Sequence, residues 1–187
     1  MNFKEMLEST LNQSLKNAIA LIIMTLVFVG ASVMSLGILV PVMLAGYTQS
    51  MLNMIRTGKE PGPRDLFSQM HLFLPLLLFS LLLVVAIAIG LLLFVIPGLI
   101  LIIAATFFLI YMVPLMVDQD MGLLEAAKES IRLVGQTSFL DHLIVVIIYS
   151  VIQSLGGSTL LGTLITIPIS TIFLVIAYDS HYTTATS

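Results

Sequence analysis

The side chains able to do acid–base or metal chemistry occupy a few short points of an otherwise apolar chain. Asp118-Gln-Asp120, Asp141-His142, and Asp179 with His181 each combine carboxylate and imidazole groups or pair carboxylates, while His71 stands in an apolar run. Carboxylate and imidazole lone pairs together suit zinc and other divalent cations, and imidazole titrates near neutrality, so it can relay protons. His71, Asp118, Asp120, Asp141, His142 and His181 are therefore the candidate metal ligands. The pattern is weak, however. Asp-x-Asp recurs by chance, and an aspartate at a helix start is an ordinary cap whose oxygen takes a free backbone N–H. The expectation is no catalytic residue, no metal and no cofactor.

Other chemistries lack their residues. The chain has no cysteine, which removes disulfides, thiolate metal sites and cysteine nucleophiles. It also has no glycine-rich loop followed by Lys-Ser/Thr, no His-Glu-x-x-His and no Gly-x-Ser-x-Gly, so an ATPase, a zincin or a serine hydrolase is not expected. The formal charge of −3, with no basic stretch interleaved with aromatics, gives nucleic acid nothing to hold.

A second group of polar residues lies inside apolar sequence. Thr159, Thr163, Thr166 and Ser170 recur on one helical face, and Tyr149 and Gln153 are four apart on the segment before them. Such a stripe could line a polar pathway. The blander alternative is favoured: hydroxyls bonding between helices, or back to their own helix.

These residues must be positioned by membrane-embedded helices. Of 187 residues, 59% are hydrophobic and 9% charged, against about a quarter charged in soluble domains. The seven basic and ten acidic residues leave three charge-free segments: 17–55, 66–117 and 142–178. A single span needs about 20 residues, so each segment is too long for one crossing and suits two. Each has a break near its middle, at Gly30–Gly37, Ile96-Pro97-Gly98 and Gly156-Gly157-Ser158. The small pairs Ala86/Gly90 and Ser158/Gly162 are weak packing signals. Residues 1–30 have the outline of a secretion signal, but apolar character resumes after Ser35, so an uncleaved first span is simpler.

Three hairpins place Lys4, Lys16, Arg56, Lys59, Arg64, Lys128 and Arg132 on one face. Basic residues favour the cytoplasmic side, which puts both termini there, in a cytoplasmic (inner) membrane. No ionisable residue falls inside a span, which argues against pumps, proton-coupled carriers and intramembrane proteases. Residues 1–16 and 122–135 read as amphipathic cytoplasmic helices. Their apolar stripes, Phe3/Leu7/Leu11/Leu15 and Leu124/Ala127/Ile131/Val134, are expected to pack on the protein's own helix ends. The fold expected is a single all-α domain, a polytopic membrane helix bundle of three helical hairpins and six spans with those two helices.

Three groups of residues carry a family resemblance. They are Gly46-Tyr47 with Arg56-Thr-Gly-Lys-Glu-Pro and Asp65-Leu-Phe67; Ile96-Pro97-Gly98; and Pro114, Asp118, Gly122 with Glu125-Ala-Ala-Lys-Glu-Ser130 and Leu133. From about Gly30 onward the chain resembles a broad group of uncharacterised prokaryotic membrane proteins. That group is similar to the membrane domain attached to some glycerophosphoryl diester phosphodiesterases. The resemblance implies a multi-helix membrane domain with a helical loop after the fourth span. It implies little chemistry, since the phosphodiesterase activity of the related fusions belongs to a separate soluble barrel.

The expected function is non-enzymatic: a scaffold or accessory subunit binding lipid, other membrane proteins or a second copy of the chain. The alternatives are a small transporter or channel for an apolar or amphipathic solute, lined by the Thr159–Ser170 stripe, and a lipid-headgroup enzyme at the cytoplasmic rim.

Overall fold

A long apolar run without charges must satisfy its backbone internally, and the helix does so within one segment. The computed structural model describes residues 3–93, 95–136, 138–156 and 159–186. Among them are nine α-helices and no strand. The helices are α1 (Phe3–Lys16), α2 (Ala18–Met34), α3 (Val40–Thr57), α4 (Phe73–Leu93), α5 (Val95–Leu109), α6 (Met112–Asp118), α7 (Leu123–Gln136), α8 (Phe139–Gly156) and α9 (Leu160–Thr186). Two 3-10 turns, Pro63–Phe67 and Met70–Leu72, lead into α4.

The protein is membrane-embedded, and four helical stretches are long and apolar enough to cross: Pro63–Leu92, Val95–Asp118, Phe139–Gly156 and Gly162–Tyr182. The helices α1 and α2 add a fifth only as a pair, and that pair is bent by 83°. Length and composition thus carry four or five crossings, short of the six expected. The helix that falls short most clearly is α3. Its Thr48, Gln49, Ser50 and Asn53 lower its hydropathy, and it is also the innermost helix, with Val42, Met43, Ala45, Tyr47 and Met51 fully buried. Around it pack α6, α9 and the first 3-10 turn.

The turns depart in detail from the expected breaks. Helix α2 continues through Gly30, and the chain reverses only at Leu36 and Gly37, with φ of 51° and 84°. The Gly37 N–H closes the helix end on the Ser32 carbonyl at 2.8 Å. Ile96-Pro97-Gly98 is not the loop but the first turn of α5. Proline is tolerated there because first-turn N–H groups have no helical partner. Gly98 instead serves close packing: a Cβ on Gly90 would stand 3.0 Å from its Cα. Gly157 and Ser158 lie outside the described residues, but Gly156 ends α8, and a Cβ on Gly162 would come 3.0 Å from its Cα. The glycines therefore meet across helices, Gly90 with Gly98 and Gly162 with Gly156.

Both amphipathic helices form; α1 is turned away from the expected face, and α7 only in part, since Val134 of its expected stripe is buried and Ala127 packs against the core. Helix α1 buries Met6 and Thr10, while Leu7, Leu11 and Leu15 are exposed. Helix α7 buries Ala126, Ser130, Leu133 and Val134, while Leu124 and Ile131 are exposed. The physical reason is local on α7. Ser130 Oγ donates to the Phe108 carbonyl at 2.7 Å, and that bond points the serine, not Ile131, inward.

Another backbone presses directly on α3 at Gly46. An added Cβ would lie 2.5 Å from the Asp65 carbonyl oxygen and would collide more closely still with that of Leu66. The fully buried Leu66 thus sits directly on the α3 backbone. Replacing Gly46 with valine forces this turn away, and overpacking of this kind costs about 1–3 kcal/mol. We expect Gly46→Val to lower the thermal midpoint in detergent by several degrees. Gly30→Ala, where nothing lies within 4 Å, should leave the midpoint level or raise it. Equal midpoints for Gly46→Val and wild type would refute the packing.

Candidate functional site

At the ends of α3, α6 and α9 the polar side chains converge on Arg56. It stands in the last turn of α3, and its guanidinium reaches two aspartates far away in sequence. Arg56 Nη2 donates to Asp118 Oδ2 at 3.0 Å and Nη1 pairs with Oδ1 of the same carboxylate. Its Nη2 also pairs with Asp179 Oδ1, and Nε donates to Asp179 Oδ2 at 3.4 Å. A planar fork of N–H groups matches a carboxylate edge to edge, which lysine cannot do. Asp118 accepts further from Tyr178 OH at 2.8 Å and Gln119 Nε2 at 2.7 Å. With a side chain only 8% exposed and both oxygens engaged, Asp118 is a structural clasp, not a base awaiting substrate.

The second grouping lies where α5 gives way to α6. The helix is broken at Ile110 and Tyr111. Just before the break, the Phe107 carbonyl accepts from His142 Nε2 at 2.8 Å and the Phe108 carbonyl accepts from Ser130 Oγ. His142 is fully buried, with its ring edge-on to Phe107 at 4.5 Å between centroids. Because Nε2 carries the donated proton, Nδ1 is the lone-pair nitrogen, and it has no hydrogen-bond partner. His181 approaches from α9, its ring centroid 6.3 Å from that of His142, and its Nδ1 bonds Tyr111 OH at 2.9 Å. The imidazole pair is buried against Phe107 and Tyr111.

The other rim candidates are dispersed. His71 is exposed on the second 3-10 turn, Asp120 is exposed between α6 and α7, and Asp141 is half-buried in the first turn of α8. Among the described residues, no three His, Asp or Glu side chains come together so as to hold a metal ion. Tyr111, Ser130 and Tyr178 were absent from the sequence candidates. Pro114 was the available signal for the break that recruits the first two, since proline cannot donate within a helix.

The hydroxyl stripe is engaged locally. Thr159 Oγ1 accepts from the Gly162 N–H at 3.0 Å, capping α9. Thr163 Oγ1 donates to the Gly156 and Thr159 carbonyls at 3.1 and 3.0 Å, and Ser170 Oγ donates to that of Ile167 at 3.0 Å. Thr166 packs on Gly156. Gln153 Nε2 donates to Tyr149 OH at 3.1 Å. These bonds remain on or between α8 and α9.

A cleft lies elsewhere, a partly open cavity of about 300 Å³ with Leu44, Thr48, Phe79, Ala105, Tyr149 and Thr171 in its wall. All four candidate spans and α3 contribute to it. Of the predicted stripe and its companions, only Tyr149 faces it. Two of its three threonines are turned to their own backbones, Thr48 to the Leu44 carbonyl at 2.9 Å and Thr171 to that of Ile167 at 2.8 Å, and Thr106 is the third. The cavity is thus apolar in character and sits at the small end of the ~300–1,000 Å³ range of ligand pockets.

Fold and site together define a membrane-embedded, all-helical protein with polar clasps at one end and an apolar cleft between its spans. No protein-family model, curated protein or solved structure matches the chain.

The clasp separates two carboxylates by burial. Hydrogen bonds to charged groups are worth about 1.5–3 kcal/mol when the partner is buried, whereas exposed ion pairs contribute about 0–1. Asp118→Ala should therefore destabilise the protein by roughly 2–3 kcal/mol, and Asp179→Ala, at a side chain 29% exposed, by under about 1. Denaturant titration of the detergent-solubilised protein measures both. Equal losses would contradict the assigned roles.

Proposed function

We propose that the chain is a non-enzymatic membrane protein, a scaffold or accessory subunit that binds lipid, with an acyl chain held in the cleft. The observation that carries this is the cleft itself: an apolar cavity whose walls come from every candidate span. Hydrocarbon is the medium around those spans, so an acyl chain enters without dehydration. Another membrane helix or a second copy of the chain is the alternative occupant. A rim enzyme finds no support, because Asp118 is saturated and the imidazoles are enclosed. A polar pathway along Thr159–Ser170 finds none either, because those groups bond or pack within α8 and α9.

The same proposal includes six crossings, both termini cytoplasmic, and residence in a cytoplasmic (inner) membrane. Helix α3 is polar, but a helix enclosed by its neighbours has no need to match lipid. Helix α2, at 17 residues, is short, and a bilayer thins locally to meet a short span at modest cost. The basic residues all fall in α1, α7, the last turn of α3 or the α3–α4 connection, and positive charge favours the cytoplasmic side. The proposed kinship with phosphodiesterase membrane domains draws support from Gly46, Arg56, Asp65 and Asp118. Those residues carry the resemblance, and they interlock α3 with the first 3-10 turn and α6.

Two measurements test this. Native mass spectrometry from mild detergent should find phospholipid on the wild type. Ala105→Phe, which fills the cleft, should retain roughly tenfold less, equivalent to about 1.4 kcal/mol. A bare, monomeric wild type without lipid or partner ends the proposal. For topology, the absence of native cysteine makes single substitutions clean. Cysteines at Leu36 and Ile96, 90% and 70% exposed, should react with an impermeant maleimide on intact cells. Those at Glu60 and Gln119 should react only after lysis, and the reverse pattern overturns the orientation.

A further inference from the structure

The wall of the apolar cleft carries the hydroxyls of Thr48, Thr106, Tyr149 and Thr171, and two of them have bonds left to make. A helical threonine ordinarily returns its hydroxyl to a carbonyl one turn back, and Thr48 and Thr171 do so. Thr106, on α5, does not: among the described residues its Oγ1 has no hydrogen-bond partner. Tyr149, on α8, accepts from Gln153 Nε2 at 3.1 Å, and its own hydroxyl hydrogen goes to no described acceptor. The two helices are tied together beside Thr106, because the carbonyl of the next residue, Phe107, takes His142 of α8. The unspent hydroxyls therefore belong to a braced wall.

The rest of the wall limits what can meet them. It is apolar, and among the described residues none that lines it is charged. A phosphate or carboxylate would enter without a counter-charge, which an apolar site penalises heavily. A bare acyl chain fills the space but leaves both hydroxyls unpaired, and hydrogen bonds unmade away from water are costly. A carbonyl oxygen meets both conditions. It is neutral, and its two lone pairs accept two donors.

We infer that the cleft selects its lipid by a carbonyl oxygen, held by the hydroxyls of Thr106 and Tyr149, while the apolar body of the ligand lies along Phe79, Leu83 and Leu174. Two kinds of membrane lipid present such an oxygen on an apolar body: the acyl ester of a phospholipid and the ring carbonyl of an isoprenoid quinone. Thr106 and Tyr149 then decide which lipid stays, and the apolar wall supplies the bulk of the contact. The inference rests on the proposal that the cleft holds lipid, and the experiment separates the two.

Delipidated protein in mild detergent is offered, separately, a diacyl phosphatidylcholine, its dialkyl ether counterpart and ubiquinone. The ether lipid keeps the headgroup and chain length and lacks only the carbonyls. Native mass spectrometry reads how much of each is retained. Wild type should keep the diacyl lipid or the quinone about fivefold better than the ether lipid, the measure of one neutral hydrogen bond. Whichever ligand does so names the source. Thr106→Val, which preserves side-chain shape, and Tyr149→Phe should each cut retention of that ligand about fivefold and leave the ether lipid unchanged. Thr106→Ser should restore it. Ala105→Phe, which fills the cleft, should reduce all three. If wild type keeps all three equally, the cleft holds apolar chains alone and the inference falls while the lipid-binding reading stands. The inference falls in the same way if Thr106→Val and Tyr149→Phe change nothing, or weaken the ether lipid as much as the others. If wild type retains none of the three, or Ala105→Phe retains as much as wild type, no lipid occupies the cleft and both ideas fall.

Discussion

Inside a bilayer every backbone carbonyl must find its partner within the protein, and this chain meets that demand at one difficult place, the break between α5 and α6. Each group left unsatisfied in hydrocarbon costs several kcal/mol. Here the Phe107 and Phe108 carbonyls are taken by His142 and Ser130. Those two side chains belong to α8 and α7, so the repair of one helix fixes the docking of two others. It also accounts for a histidine that lies fully buried. The break in turn lets α6 present Asp118 to Arg56.

Helix association follows from the same solvent. Lipid tails are as apolar as leucine side chains, so burying leucine between helices releases little free energy; close packing and interhelical polar bonds supply the specificity. The chain uses both. Gly90 against Gly98 and Gly156 against Gly162 bring paired helices together, and Gly46 admits a whole turn of backbone. At the clasp end, Arg56 ties α3 to α6 and α9 through two carboxylates. Deeper in the core, Tyr47 OH and Thr25 Oγ1 meet at 2.9 Å, joining α2 to α3. Met24, Met43, Met51, Met54, Met112 and Met116 are all buried, and flexible thioethers fill the irregular gaps such crossings leave.

Charge spacing and helical periodicity made the coarse plan legible. The three charge-free segments hold most of the observed helices α2–α3, α4–α6 and α8–α9, although α3, α6, α8 and α9 each run past a segment boundary, and helices form over 3–16 and 123–136, where the apolar periodicity placed them. Orientation was not legible. A stripe such as Leu7/Leu11/Leu15 shows that something apolar covers that side, and in a membrane both protein and lipid qualify. Window hydropathy fails for α3 for the converse reason: enclosure by other helices excuses it from being apolar. The clasp was hidden by distance along the chain, since Asp118 and Asp179 lie 62 and 123 residues from Arg56. Nothing in Asp118-Gln-Asp120 alone distinguishes a saturated carboxylate from its exposed neighbour.

The division of polar from apolar features bears on function. Several groups with chemical potential satisfy each other: Arg56 by two aspartates, Asp65 by Ser50, Lys59 and the Gly62 N–H, His181 by Tyr111. An active site keeps reactive groups reachable and poised, often at some cost in stability. Here several polar groups are used to lock helix ends, and an apolar cleft stands open between the helices. On the proposed lipid-binding reading, the clasps at the rim hold the walls of that cleft at a fixed separation, and its apolar lining suits an acyl chain.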